Sequence, residues 1–383
     1  MTMRSAGVGN LKTVETAGTD CQALDFLVNR NNVADCKLVV AAQPGSVELQ
    51  PGQVLMELDK FGLTSNNITY AVLGDSMGYW KYFPAENGWG RIPAWGIGRV
   101  LKSRHVQIQE GDRIYGYFPV STHHVAKFGA AAGDSFVEMS EHRKGLPALY
   151  NRYTLSARDA KIDALKEDIH VVFRPLFTTS WLLDDFLADN EFFGARTLII
   201  SSASSKTALG LAFLLSLRKN RSFQVVGLTS AANMAFVKRS AFFDVVLRYE
   251  NLALSPNDRA AAFIDIAGNG EVARAVHHHL GDQMKYSCAV GLTHWNKSAQ
   301  GEALPGAQPV LFFAPAQGQK RVQEWGPEEF KQRSNAAWEQ LAAMAARCLN
   351  IVRVSGPESV SRLYRDLLDR GTRPEQGHVL SWS

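Results

Sequence analysis

Two rhythms of apolar and polar positions divide this chain. Between residues 35 and 140, short runs rich in Val, Ile, Leu and aromatics recur: DCKLVVAAQ, QVLMELDKFGL, GIGRVLKS, DRIYGYFPV and HHVAKF. Pro44-Gly45, Pro51-Gly52 and Glu110-Gly111-Asp112 punctuate them. Short strands at this spacing predict a barrel or a sandwich. From about residue 170 the rhythm changes. RTLIISSAS is a continuous apolar run, followed by Ala208, Leu211, Ala212 and Leu215 on one helical face. FQVVGLTS, DVVLRY, AAFIDIAG, YSCAVGL and PVLFFAP are further buried-strand candidates. Helical stretches such as AANMAFVKRS and EVARAVHHHL fall between them. Strands alternating with helices over residues 195–315 predict a parallel, doubly wound sheet covered on both faces.

After this unit, Phe330, Ala337, Leu341 and Met344 sit at helical spacing in a long helix. A strand-like LNIVRVSG, a short helix ESVSRLYRDLLDR and a terminal HVLSW follow. One stretch fits neither rhythm. Tyr70, Tyr79, Trp80, Tyr82, Phe83, Trp89 and Trp95 are interleaved with glycines. It reads as an irregular loop lining a pocket for a flat or apolar ligand.

Composition narrows the class. The 383 residues are 46% hydrophobic and 20% charged, which suits a globular protein of about two domains. The net charge of +4 is scattered, so no basic stripe for nucleic acid is expected. Cys21, Cys36, Cys288 and Cys348 are far apart, which suits a reduced cytoplasmic protein and excludes a cysteine-rich structural zinc site. The first 20 residues lack the apolar core of a signal peptide. The longest apolar run, from Ala208 to Leu217, stops at Arg218, well short of the ~18 residues of a membrane span.

Candidate chemistry begins at the turn after the first parallel strand. A nucleotide-binding sheet places glycines there, so that backbone can approach a pyrophosphate seated on the next helix's N-terminus. Here the turn reads Ser201-Ser202-Ala203-Ser204-Ser205-Lys206-Thr207-Ala208, with Ser202, Ser205 and Ala208 at the glycine positions. Small residues still permit a tight turn. Ser202, Ser204, Ser205, Lys206 and Thr207 can donate to phosphate oxygens, although an ordinary polar cap would read the same way. The second strand ends Val226-Gly227-Leu228-Thr229-Ser230-Ala231-Ala232-Asn233, without the carboxylate that marks NAD. Thr229 and Ser230, with Lys238 and Arg239 following, suit the 2′-phosphate of NADPH; solvated helix charges are the plainer reading of the Lys-Arg pair.

The order of these elements resembles the medium-chain dehydrogenase/reductase superfamily. The resemblance rests on PGQVLMELDKFGLTSNNITY, EGDRIYGYF, LFTTSWLLDDFLADNEFFGARTLIISSAS, VVGLTSAANMAFVKRSAFFDVVLRYE, FIDIAGNGEVARAVHHHLGD and CAVGLTHW. More narrowly, NNITYAVLGDSMGYWKYFPAENGWGRIPAWG resembles a branch known mainly as a family of unknown function. The resemblance implies an α/β fold of two domains. A GroES-like β-barrel covers 1–170 and is completed by 320–383; a Rossmann domain covers 171–319. It implies a cleft where substrate and nicotinamide meet, with Gly268, Gly291 (within Val290-Gly291-Leu292) and Phe313 (beside Phe312) at strand ends facing the nicotinamide, and a homodimer.

The zinc-binding members of that superfamily carry a Gly-His-Glu motif. Cys36 is present, but no such motif stands between Trp89 and Gly98. The expectation is a zinc-independent enzyme similar to quinone and enoyl-thioester reductases. His123-His124 would point to opposite faces of a strand, and His277–His279 lie at a helix end where exposure is expected, so neither is read as a metal site.

Hydride delivery to an enone without a metal leaves an enolate, which needs a hydrogen-bond donor at its oxygen and a proton. The loop Thr64-Ser65-Asn66-Asn67-Ile68-Thr69-Tyr70 stands where zinc-free reductases keep a polar residue or tyrosine. Tyr70 and Asn67 are the first candidates and Tyr79 the next; a turn made by Asn66 and Asn67 with Tyr70 packed inside is the plainer alternative. The expected activity is NADPH-dependent reduction of an activated C=C or C=O in a small molecule, possessing aromatic or thioester character. The alternatives are a non-redox enolate-stabilising enzyme, performing C–C cleavage or hydration, and a non-catalytic nucleotide-binding protein.

Overall fold

The computed structural model describes residues 22–86, 88–156, 163–291, 304–369 and 372–382. Cys21, the first 20 residues and Leu292 lie outside the described residues. The first half contributes β1 (Leu24–Asn29), β2 (Cys36–Val40), β3 (Gln53–Leu63), α1 (Ser65–Val72), β4 (Trp89–Arg91), β5 (Pro93–Ser103), β6 (Arg113–Pro119), β7 (His123–Lys127), β8 (Ser135–Val137) and β9 (Arg152–Ser156). The long α2 (Ala164–Asp189) leads into β10 (Thr197–Ile200), α3 (Lys206–Ser216), β11 (Gln224–Thr229), α4 (Met234–Ser240), β12 (Val245–Arg248), β13 (Ala261–Asp265), α5 (Gly270–Leu280), β14 (Met284–Ala289) and β15 (Pro309–Leu311). Helices α6 (Ala314–Trp325) and α7 (Pro327–Cys348), strand β16 (Asn350–Ser355), α8 (Pro357–Leu368) and β17 (Gln376–Ser381) finish it.

Among the described residues β10–β15 form a parallel sheet in the order β12-β11-β10-β13-β14-β15. This is the doubly wound order, with its switch point between β10 and β13. All four residues of β10 are buried, as expected of a central parallel strand with a helix on each face. A second sheet is mainly antiparallel and runs β16-β17-β3-β5-β6-β9-β8, with β7 also on β3. Strand β3 bends through two irregularities against β5, which lets it serve three neighbours. The C-terminal strand β17 therefore joins the N-terminal barrel. The fold is thus a GroES-like barrel together with a Rossmann sheet.

Helix α2 ties the two together. Its buried face, including Phe173, Phe177, Trp181 and Leu187, packs into the core around α3 and β10, each such side chain contributing about 2 kcal/mol of burial. Fully buried Asp168 on α2 accepts from Lys60 of β3 at 2.9 Å and Arg353 of β16 at 2.6 Å. Pro175 leaves the Val171 carbonyl without its helical donor, and Gly62 of β3 fits against that carbonyl, where a Cβ would lie 3.0 Å away.

Two local readings need correction. Ser65–Val72 is a helix, not a loop: Thr64 Oγ1 accepts the Asn66 amide while Asn67 Oδ1 accepts the Thr64 amide, a capping box built with Asn. The aromatic stretch is not one loop either. Pro93, Ala94 and Trp95 belong to β5, and Trp80 is a core residue packed against Gly74 and Gly90.

Candidate functional site

The turn after β10 is built by its own hydroxyls. Ser201 Oγ donates to Asp265 Oδ1 at 2.7 Å and accepts the amides of Ile266 and Ala267 at 2.9 Å each, stitching β10 to the end of β13. Ser202 has a left-handed backbone, φ 51°, which a glycine would adopt without strain. Its amide donates to the Tyr249 hydroxyl. Ser204 Oγ accepts from Asn233 Nδ2 at 3.0 Å. Ser205 caps α3 by accepting the Ala208 amide. The amides of Lys206 and Thr207 are then the first of α3, whose acceptors a helix does not supply. Lys206 Nζ donates to the Pro374 carbonyl at 3.4 Å; burial pushes its pKa down to about 8, with Glu375 opposing. At the end of β11, Thr229 is buried and its Oγ1 has no hydrogen-bond partner.

This turn opens on a cavity of about 1510 Å³. Ser202, Ser204, Ser205, Lys206, Thr207, Thr229, Ser230, Gly291 and Phe313 line it, and so do Tyr70 and Tyr79 across the cleft. Gly291 sits so close to the Ile266 carbonyl that a Cβ would lie 2.4 Å from it, so the position has no room for a side chain. Three candidates are placed elsewhere. Asn67 is buried and committed: its oxygen caps α1 and its amide donates to the Pro93 carbonyl at 2.8 Å, so it does not line the cavity. Lys238, with Arg239, is exposed in the last turn of α4, while only the start of that unit, through Ser230 and Asn233, reaches the cavity. Gly268 turns the chain with φ 61° and donates its amide to Asp265, behind the lining.

Tyr70 stands in a nest of aromatic rings. Tyr79 lies 4.6 Å away and Tyr117 5.6 Å away, edge-on. Burial drives the Tyr70 phenol well above the ordinary tyrosine range, Tyr79 adds to this, and contacts with Trp95, Asn66 and Tyr117 partly oppose it. Its hydroxyl therefore keeps its proton and can donate. The Tyr79 hydroxyl sits 3.4 Å from that of Tyr150. Burial raises the Tyr79 phenol too, with Tyr150 opposing.

Sequence reasoning missed part of this wall. Tyr115, Tyr150, His170 and Arg174 also line the cavity. His170 and Arg174 are four apart on α2, one helical face, and the pattern HVVFR carried that signal. Tyr150 follows from tertiary packing alone. The histidine run was misjudged: His277 is fully buried, bonded to the Pro305 carbonyl and Ser287 Oγ at 2.9 Å each, because its place on α5 faces the sheet.

A family model described as "Protein of unknown function (DUF2855)" matches residues 61–373. No curated protein sequence matches the chain. Among solved structures, CurA from Vibrio vulnificus in complex with NADPH is similar at TM-score 0.64 and 14% identity, covering 94% of this chain and 99% of that one. The CurK enoyl reductase is similar at TM-score 0.55 and 12% identity, with the same coverage. A mutant form of enoyl thioester reductase from Candida tropicalis follows at TM-score 0.53 and 12% identity, again covering 94% and 99%. At such identities the likeness is one of fold alone, a GroES-like barrel with a Rossmann sheet.

Proposed function

We propose, for a chain that belongs to the DUF2855 family of proteins of unknown function, an NADPH-dependent reductase acting on an activated C=C or C=O of a small molecule. One observation carries the reading. The Ser-rich turn at the N-terminus of α3 and Tyr70 line the same cavity, in a fold with a doubly wound switch point. The residues present fit the nucleotide. The Lys206 and Thr207 amides and the buried, partnerless Thr229 hydroxyl supply donors for phosphate and ribose oxygens. Lys206 supplies charge, Ser230 replaces the carboxylate that would favour NADH, and Gly291 and Phe313 give a flat wall for the nicotinamide. That fold relatives crystallise with NADPH supports the choice.

Bound NADPH would supply a hydride. This chain's residues would do the rest. Hydride arriving at the β-carbon of an enone moves negative charge to the carbonyl oxygen, where Tyr70 donates a hydrogen bond. The enolate then takes its proton at the α-carbon from water or the Tyr79–Tyr150 hydroxyl pair. Zinc takes no part in this scheme. The test is NADPH oxidation followed across enones, enoyl thioesters, quinones and aldehydes. Turnover with one class, lost in Tyr70→Phe, is the expected result. Nucleotide binding without oxidation of NADPH by any of them would remove the redox reading.

A further inference from the structure

The cavity wall holds a half-buried cation that pairs with no carboxylate among the described residues. Arg174 projects from α2 beside Trp338 and Phe177, its guanidinium 5.3 and 5.8 Å from their ring centres. Its Nη2 donates to two neutral groups, Asn335 Oδ1 at 2.8 Å and Ser334 Oγ at 3.3 Å. Its Nη1 is buried and has no hydrogen-bond partner. Among the described residues no carboxylate pairs with it; exposed Glu339 acts on it only through space. Burial accordingly holds its pKa below the ordinary arginine value. An unpaired guanidinium in such a place is costly unless something anionic joins it.

A second unused donor lies beside it. The Tyr115 hydroxyl is buried without a partner, and the Arg174 charge acts on it. Tyr115 stacks on Trp95 with ring centres 5.6 Å apart, and Trp95 contacts Tyr70. The pair Arg174–Tyr115 therefore adjoins the aromatic wall that includes Tyr70. His170 packs edge-on against Tyr115 at 4.4 Å, and its pKa is lowered to about 4, so it stays neutral there. Of His170 and Arg174, both on α2 and both lining the cavity, Arg174 is the charged one.

We propose that Arg174 and Tyr115 bind a carboxylate of the substrate, so that the reductase acts on unsaturated carbonyl compounds that carry an acid group. The planar fork of Arg174 suits a carboxylate, and the aromatic walls suit a flat conjugated body next to it. The carboxylate is a spectator: the hydride and the proton add across the conjugated bond and no bond to the carboxylate changes. The proposal rests on the reductase reading for its substrate class. The carboxylate site itself can be tested without turnover.

The experiment is calorimetric titration of the full chain, with and without saturating NADPH, using benzoylacrylate, cinnamate and fumarate as acids and methyl benzoylacrylate as the neutral control. The acid that binds wild type should bind Arg174→Met at least about tenfold more weakly, and Arg174→Lys to an intermediate degree. Methyl benzoylacrylate and NADPH should bind all three proteins alike. Removing a charge that has no carboxylate partner should leave the fold intact, checked by circular dichroism. Failure of every acid to bind wild type, or equal binding by Arg174→Met, would overturn the proposal. Loss of NADPH affinity with acid binding unchanged would instead assign Arg174 to the nucleotide and overturn it too. Acid binding that depends on Arg174 in a protein that never oxidises NADPH would keep the site and remove the reductase reading. Turnover of the methyl ester with no effect of Arg174 would do the reverse.

Discussion

The Ser202 amide donates to the Tyr249 hydroxyl at 3.0 Å, at the residue whose backbone φ is 51°. A tyrosine after β12 thus steadies a left-handed serine at a position where a glycine would be relaxed. Ser202→Gly should leave stability unchanged or raise it, whereas Ser202→Val should lower it by about 1–2 kcal/mol. Tyr249→Phe should cost about 1 kcal/mol by leaving the amide unpaired. Chemical denaturation of the three variants measures this; a destabilised Ser202→Gly would show that the serine side chain, not the backbone, holds the turn.

Tyr70→Phe should lower kcat by roughly a hundredfold while nucleotide affinity stays within a factor of about two. Because burial keeps the Tyr70 phenol protonated beyond the ordinary range, kcat should show no alkaline limb from Tyr70 below about pH 10. A variant as active as wild type would move the donor role to Tyr79 or Tyr150.

Lys206 carries a pH signature. Its pKa in the folded chain is lowered to about 8, so it loses its charge within the accessible alkaline range. If the ammonium holds a phosphate, NADPH affinity should fall above pH 8 by at most about tenfold per unit. Lys206→Met should bind weakly at every pH, without that slope. The same variant should unfold at a higher temperature than wild type when free of nucleotide, since it no longer buries an ammonium.

His170 and His378 each have a pKa lowered to about 4, in both cases first by burial, with Arg174 and Lys206 respectively adding repulsion. Between pH 6.5 and 4 the unfolded chain holds protons there that the folded chain refuses. Stability should therefore fall as pH falls through that window, by up to about 1.4 kcal/mol per pH unit for each histidine. His170→Gln should flatten the profile. Thermal unfolding at pH 7, 6, 5 and 4.5 gives the comparison; parallel profiles for wild type and variant would contradict it.

The strand-helix alternation after residue 195 was legible because parallel strands are buried on both faces and read as apolar runs; all five residues of β13 are buried. Helix α1 was not legible, because Asn67 in a capping box reads locally like an Asn-rich turn. Only the tertiary context, with Asn67 bonded to Pro93 on β5, decides between them. At the site, the polar turn and Tyr70 could be named because chain order predicts where strand ends meet the cleft. Lys238 was misplaced because a basic pair on a seven-residue helix gives no sign of which end faces the ligand. Arg174 was missed because one arginine in an apolar helix looks like a solvated charge, and its lack of a counter-ion is visible only in three dimensions.

The central claim, that the turn from Ser202 to Thr207 holds NADPH beside Tyr70, is tested most directly by titrating the wild-type chain with NADPH and with NADH in a calorimeter. NADPH should bind at least about tenfold tighter than NADH. No heat of binding with either nucleotide would contradict it.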